Sequence, residues 1–260
     1  MSPVSGRPEF PSSAKSAPLL RALWVPLFGD GFRLAILLAA LAAAVRGVGM
    51  LGPQRYFWVL PVGFTVMALT PHLFFSREGR RRAGLRFSRR PMWIVCGILL
   101  GVAGAGLFYW LGVTLFGETN DNWFVSVRRS FPSTPEMAGL PTAQLFWIIS
   151  IPSLIFSPVG EEIFFRGFLQ QVVEERWNHR AGVIMDAGWF AVVHLFHHGI
   201  LRIDGQVQFL PLSGAIWMVL IFGTGVLFAF LRQKTDSLVA PILSHAAFNL
   251  GMNFTIFYFL

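Results

Sequence analysis

Seven long apolar stretches constrain the fold of this 260-residue chain more than any other feature of its sequence. They run over residues 32–51, 57–75, 92–116, 143–170, 181–198, 212–231 and 238–260. A helix that crosses the hydrocarbon core of a bilayer needs about 17–25 predominantly apolar residues, and each stretch is long enough. The sequence therefore predicts an all-α fold, a polytopic membrane bundle of about seven or eight transmembrane helices.

The possible eighth helix comes from the fourth stretch, which is longer than one perpendicular span. Residues 143–175 would form about 50 Å of helix at 1.5 Å per residue, whereas the hydrocarbon core is roughly 30 Å thick. Pro152, Pro158 and Gly160 mark the places where we expect this helix to kink or a second helix to begin.

Composition and charge agree with a membrane location. The chain is 54% hydrophobic and only 13% charged, which is too apolar for a soluble domain of this size. Its net charge of +8 comes mostly from basic residues in short segments between the apolar stretches. Such a pattern orients helices in a bilayer, so nucleic acid is not an expected partner.

The basic residues also predict the orientation. Fourteen Lys and Arg lie on the side that holds the N-terminus and residues 77–90, 173–180 and 232–234, against four on the other side. By the positive-inside rule, we expect a multi-pass protein of the inner, cytoplasmic cell membrane with its N-terminus in the cytoplasm. Arg33 and Arg46 lie near the ends of the first stretch, where their side chains are expected to snorkel to the interface.

Three regions are expected along the chain. Residues 1–30 are predicted to be a disordered or interfacial cytoplasmic tail. Residues 31–142 hold the first transmembrane helices, a basic cytoplasmic loop and an outer loop. Residues 143–260 are expected to form the transmembrane core that carries the candidate site.

Ionisable side chains inside three of the stretches mark that site, because a charged residue at the bilayer centre costs roughly 2.5–3.5 kcal/mol on insertion scales. The candidates are Glu161 in the fourth stretch, His194 in the fifth, and His245 with Asn249 in the last. Counted from the basic ends, all of them lie roughly 14–22 Å deep. Three segments therefore bring polar groups to a similar level, as one shared site requires.

Spacing separates the two adjacent carboxylates. Glu162 and Arg166 are four residues apart on one helix face, so we expect them to form a structural ion pair. Glu161 points about 100° away from that face and is left free for chemistry. Phe190 shares a face with His194 and is expected to support it.

The candidate residues suit the hydrolysis of an amide bond within the membrane. A glutamate and a histidine that converge on one water form a general base, a role open to Glu161 and His194. His245 and Asn249 can then donate to the oxyanion of a tetrahedral intermediate.

The same residues resemble the motifs of the CPBP, or Abi, family of CAAX-protease-like intramembrane endopeptidases. The matches are Glu161, Glu162 and Arg166 to its EExxxR motif, Phe190 and His194 to FxxxH, and His245 and Asn249 to HxxxN. The resemblance implies an all-helical membrane protease with a cytoplasm-facing catalytic cavity, in which Glu161 and His194 activate water. It also implies a membrane-anchored or lipidated protein as substrate.

A zinc-dependent version of the same protease is a disfavoured alternative. His194 and His198 are four residues apart, and His245 or Glu161 could complete a site, but the HExxH pattern is absent. We therefore expect no cofactor. His197 and His198 are predicted to be interfacial or loop-capping residues, and Asp186 an exposed acid near a helix start.

The alternative from another functional class is a non-catalytic membrane scaffold or a bacteriocin-immunity-type protein.

A further expectation concerns the substrate. An apolar or lipidated substrate segment could occupy a cavity lined by Phe164, Phe165, Phe168 and Phe190. The sequence contains nothing that predicts the oligomeric state.

Overall fold

Each of the seven apolar stretches contains a helix in the computed structural model, which describes residues 17–53, 56, 58–131 and 134–260. The α-helices of the described residues are α1 (Val25–Phe28), α2 (Phe32–Leu51), α3 (Val59–Phe74), α4 (Arg77–Arg82), α5 (Pro91–Phe116), α6 (Trp123–Ser130), α7 (Thr142–Glu162), α8 (Gln170–Arg176), α9 (His179–His194), α10 (Pro211–Thr235) and α11 (Val239–Phe259). A π-helical segment, Ile163–Leu169, joins α7 to α8, and a 3₁₀ helix, Pro135–Met137, precedes α7. Strands β1 (Ile200–Ile203) and β2 (Gln206–Phe209) form an antiparallel hairpin between α9 and α10.

The predicted all-α, multi-pass membrane fold is confirmed. Among the described residues, four helical segments are long and apolar enough to cross a membrane, namely Phe32–Leu51, Pro91–Phe116, Thr142–Arg176 and Pro211–Thr235. Helix α3 is apolar but shorter, and α9 and α11 occupy the two remaining predicted stretches.

The fourth stretch does not break where the sequence suggested. Helix α7 continues through Pro152, Pro158 and Gly160, and the first departure from α-helical geometry is the π-helical segment that follows Glu162. Gly160 serves packing, because a Cβ there would lie only 2.5 Å from the Phe64 carbonyl oxygen on α3. π-helical turns inside α-helices occur frequently at functional sites.

The basic segments meet at one end of the bundle, which we call the basic end and define as residues 17–31, 75–90, 174–180 and 232–238. Arg82 of α4 pairs with Glu175, and Arg232 lies 3.4 Å from Glu174. Three segments that were predicted to lie on one side of the membrane are therefore in contact.

The segment before α2 joins the same end. Arg176 lies 2.5 Å from Asp30, and Leu20 bridges to Phe75 in an extended pairing. Leu19 and Leu20 are buried. The predicted tail otherwise falls mainly on residues 1–16, which lie outside the described residues.

The remaining loops meet at the other end of the bundle, which we call the opposite end and define as residues 51–53, 56, 58, 117–131, 134–141, 196–210 and 260. Arg128 donates to the Leu260 carbonyl at 2.6 Å, and Arg202 donates to the Leu51 carbonyl at 3.1 Å. Helices α2, α5, α9 and α11 therefore run from the basic end to the opposite end, and α3, α7 and α10 run back.

Buried phenylalanine rings fill the bundle beside the π-helical segment. Phe164 and Phe168 stack with centroids 6.0 Å apart, and Phe165 meets Phe190 of α9 at 5.4 Å. Phe190 in turn contacts Phe228 of α10 at 6.2 Å. This aromatic layer lies between the candidate site and the basic end.

Candidate active site

The last turn of α7, the end of α9 and the middle of α11 bring the candidate residues together. His245 Nδ1 lies 2.8 Å from Glu162 Oε1, and His194 Nε2 lies 3.6 Å from Glu161 Oε2. Both carboxylates are fully buried. The three segments that the sequence placed at one depth do share one site.

Glu162 and Arg166 are in contact across one helical turn, as their spacing predicts. Arg166 Nε lies 3.3 Å from Glu162 Oε2, and Nη1 donates to Oε1 at 3.3 Å. Because His245 also contacts Oε1, Glu162 connects the ion pair to α11. Glu162 therefore pairs with Arg166 and also supports His245.

Asp186 is a second carboxylate on the same arginine. The prediction that it is exposed is wrong, since it is fully buried with Oδ2 3.3 Å from Arg166 Nε. The face of Phe190 lies 4.1 Å from the guanidinium carbon, and Phe228 lies 5.2 Å from it. Asp186 is buried because α9 turns this side chain toward Arg166 of the π-helical segment, which counting residues from a helix start cannot show.

Glu161 also has a cation, contrary to the expectation that it is left free. Arg46 of α2 contacts Glu161 Oε1, and Ser157 donates to the same oxygen at 3.1 Å. Arg46 is only 5% exposed, so the prediction that it snorkels is wrong. Its guanidinium carbon also lies 5.1 Å from the centre of the Phe64 ring.

Sequence reasoning missed Arg46 although the necessary signal was present. Arg46 is an ionisable residue inside an apolar stretch, the same criterion that selected Glu161. Its place five residues before the end of α2 favoured an interfacial interpretation. His197 lies in the turn after α9, where it is half-buried and its Nε2 contacts Arg46.

The second oxygen of Glu161 has no hydrogen-bond partner among the described residues. It faces His194, whose Nδ1 lies 2.6 Å from the Phe190 carbonyl oxygen. Because a carbonyl only accepts, His194 must donate from Nδ1, and in the neutral ring Nε2 is then an acceptor. Two acceptors, Glu161 Oε2 and His194 Nε2, therefore face each other 3.6 Å apart.

Asn249 and its neighbours lie on the next turns of α11. Asn249 Nδ2 donates to the Ser153 carbonyl at 3.0 Å, which leaves its second amide hydrogen unused by that bond. Asn253 was not predicted, and it donates to the hydroxyls of Ser150 and Ser153 at 3.1 and 2.9 Å. These bonds fix α11 against α7.

His198 has a different environment from the other histidines. It is fully buried, so the interfacial prediction for it is wrong, and its Nδ1 lies 2.8 Å from Ser126 Oγ on α6. In the described part of the chain, no group of three or more His, Cys, Asp or Glu side chains is arranged to hold a metal ion.

A cavity of about 540 Å³ adjoins the site. His194, His245 and Asn249 line it together with mostly apolar side chains. Phe190 is on its wall as predicted, whereas Phe164, Phe165 and Phe168 lie in the aromatic layer and are not part of the lining.

Comparison with known proteins relates part of the chain to a protease family. Residues 143–251 match the family model described as Rce1-like, type II CAAX prenyl endopeptidase Rce1-like. The matched segment is less than half of the chain, contains every residue of the three motifs, and supports the predicted resemblance to CAAX-type proteases. No curated protein and no solved structure gave a significant match.

Proposed function

Because residues 143–251 match the model of a CAAX-type endopeptidase family, we propose that this protein is an intramembrane endopeptidase in which Glu161 and His194 activate the attacking water. The substrate is a peptide bond in a membrane-anchored or lipidated protein. The family match supports the general class of protease, and the geometry of the site supports the residue roles.

One observation carries the mechanism, namely the pair of acceptor atoms on Glu161 and His194. At 3.6 Å, Glu161 Oε2 and His194 Nε2 are too far apart for a direct hydrogen bond, and neither atom has a hydrogen to donate in the neutral-histidine state. A water molecule can donate to both at once. That arrangement orients the water oxygen's lone pairs away from the two side chains and toward a bound substrate.

The reaction then proceeds as general-base hydrolysis. Glu161 takes a proton from the water as its oxygen bonds to the substrate carbonyl carbon, giving a tetrahedral oxyanion. When the carbon–nitrogen bond breaks, the proton on Glu161 passes to the leaving amine. The products are a new carboxyl terminus and a new amino terminus, and Glu161 returns to the carboxylate.

Asn249 and His245 are placed to stabilise the oxyanion. Both line the cavity, and the second amide hydrogen of Asn249 is free to donate. His245 contacts Glu162 through Nδ1, and its Nε2 donates to an oxyanion when the ring is protonated. Donors of this kind typically contribute about 2.7–4 kcal/mol each to transition-state stabilisation.

Arg46 acts in this proposal as a positioning residue. It contacts Glu161 Oε1 and so fixes the rotamer that turns Oε2 toward His194. It also neutralises a carboxylate that is otherwise buried without a cation of its own, since Arg166 already serves Glu162 and Asp186.

The test is a comparison of protein termini in membranes from cells that express the wild-type protein or one variant. Glu161→Gln removes the base with almost no change of shape. The matched control is Glu175→Gln, the same substitution at a partly exposed residue of the basic end. We expect new termini with the wild type and the control, and their loss with Glu161→Gln.

The same termini in all three samples would reject the proposed mechanism. A biological effect that persists in the Glu161→Gln cells would favour the scaffold or immunity function. Chelation tests the proposal that no metal is needed, and we expect full activity of the purified protein after treatment with a strong chelator.

A further inference from the structure

The cavity occupies only one half of the bundle. Most of its lining comes from the halves of the helices nearer the opposite end, as Met50 of α2, Trp58 before α3, Ser130 of α6 and Trp217 of α10 show. Its deepest lining residues on α10 and α11 are Phe228 and His245. No described residue of the basic end belongs to the lining.

The side toward the basic end is filled. Phe190 and Phe228 form the floor of the cavity and lie against the guanidinium of Arg166. Beyond Arg166, Phe165 and Gln170 are fully buried. A path from Glu161 to the basic end would have to pass through this packed layer.

The wall of the cavity reaches the lipid-facing surface between α3 and α7. Trp58, Ile148 and Phe156 all line it, yet their exposed fractions are 61%, 47% and 42%. Their outer surfaces are available to the hydrocarbon of the bilayer, and their inner surfaces to the cavity. An apolar segment that already lies in the membrane can enter by this route without first being transferred to water.

The charge distribution indicates which end of the bundle faces the cytoplasm. Twelve Lys and Arg lie in the described residues of the basic end, against Arg128, Arg129 and Arg202 in those of the opposite end. A bias of this size in short loops places the basic end in the cytoplasm.

We propose that the active-site cavity opens away from the cytoplasm, so that the substrate is an exported protein whose membrane-anchoring segment lies in the non-cytoplasmic leaflet. This inference rests on the proposed function, because the protein has a substrate only if it is a protease. It departs from the cytoplasm-facing cavity that the family resemblance implies, because here the floor of the cavity is the aromatic layer on the cytoplasmic side.

Thiol labelling tests the direction of the cavity without requiring catalysis. The native Cys96 is first replaced by alanine, and one cysteine is then introduced as Ser130→Cys at the cavity wall near the opposite end. The matched control is Ser88→Cys in the basic loop, since both serines are half-buried. Labelling of both variants in detergent establishes that each thiol can react.

The reagent is a membrane-impermeant maleimide, added to intact cells that have no barrier outside the membrane in which the protein lies. It should label the Ser130→Cys variant, and it should label the Ser88→Cys variant only after the membrane is opened. The reverse pattern would overturn the proposal. Labelling of the Ser130→Cys variant only in inverted vesicles would also overturn it.

The positions of the cleaved bonds give a second, independent test. Termini that depend on Glu161 should map to the exported side of their parent proteins. If they map to cytoplasmic segments, the direction proposed here is wrong although the protease function stands. If no terminus depends on Glu161, the protease function fails, and the labelling result still decides the direction of the cavity.

Discussion

Replacing Arg46 with methionine should destabilise the protein strongly, because Arg46 is the cation that accompanies the buried Glu161. Methionine keeps much of the side-chain length and the contact with Phe64, but it removes the charge and both polar contacts, to Glu161 and to His197. Ser157, which donates to Glu161 Oε1 at 3.1 Å, would remain. One neutral hydrogen bond does not compensate a buried carboxylate.

The magnitude follows from the burial of both partners. Arg46 is 5% exposed and Glu161 is fully buried, so solvent screening is small. Removing one member of such a pair costs about 3–5 kcal/mol of unfolding free energy. For a protein of this size, that loss corresponds to a decrease in melting temperature on the order of 10 °C.

The assay is thermal unfolding of purified variants in one detergent, arranged as a double-mutant cycle. The cycle contains the wild type, Arg46→Met, Glu161→Gln and the double variant. If the pair is real, the double variant should be more stable than Arg46→Met alone, because no charge is left unpaired, and the interaction energy of the cycle should be about 0.5–3 kcal/mol. Arg33→Met is the control, since Arg33 is an exposed arginine of the same helix and should change stability by less than about 0.5 kcal/mol.

Two results would refute this reasoning. An Arg46→Met variant as stable as the Arg33→Met control would mean that Arg46 does not compensate Glu161. Strictly additive effects of Arg46→Met and Glu161→Gln would mean that the two side chains do not interact.

Three further variants test other parts of the structure. Asn249→Ala should lower kcat by about 10²–10³, and an unchanged kcat would remove its oxyanion role. Gly160→Ala should cost about 1–3 kcal/mol, because its Cβ would lie 2.8 Å from the Phe64 Cα, and an unchanged melting temperature would contradict the close packing of α3 on α7. Burial alone would raise the pKa of Asp30, but the Phe32 N–H and the Arg176 guanidinium outweigh it and lower the pKa below 3.8. Its contribution to stability should therefore be present at neutral pH and fall away as the carboxyl protonates in acid, and Asp30→Asn should lack this acid-dependent part in pH-dependent unfolding.

The positions of the helices followed closely from the sequence. Helix α2 begins and ends where the first apolar stretch does, and α5 starts one residue before its stretch. Length and hydropathy decide such boundaries locally, because each span must cover about the same thickness of hydrocarbon. The contact between Glu162 and Arg166 was predictable for the same reason, since a spacing of four residues fixes a shared helix face.

Contacts between distant segments could not be predicted in this way. Arg46 and Glu161 are separated by 115 residues, and their pairing depends on how α2 packs against α7. The burial of Asp186 depends on the rotation of α9 about its own axis. Its spacing of four residues from Phe190 and eight from His194 already placed it on the buried face, a signal that the prediction of an exposed acid did not use. The direction of the cavity required both the packed aromatic layer and the charge bias of the loops.

The most direct test of the central claim is the turnover of purified Glu161→Gln protein in a bilayer, on a substrate identified from the comparison of termini. The proposed role of Glu161 as the general base predicts a decrease in kcat of about 10²–10⁴. The Glu175→Gln control should cleave at the wild-type rate. Undiminished turnover by correctly folded Glu161→Gln protein would contradict the proposed mechanism.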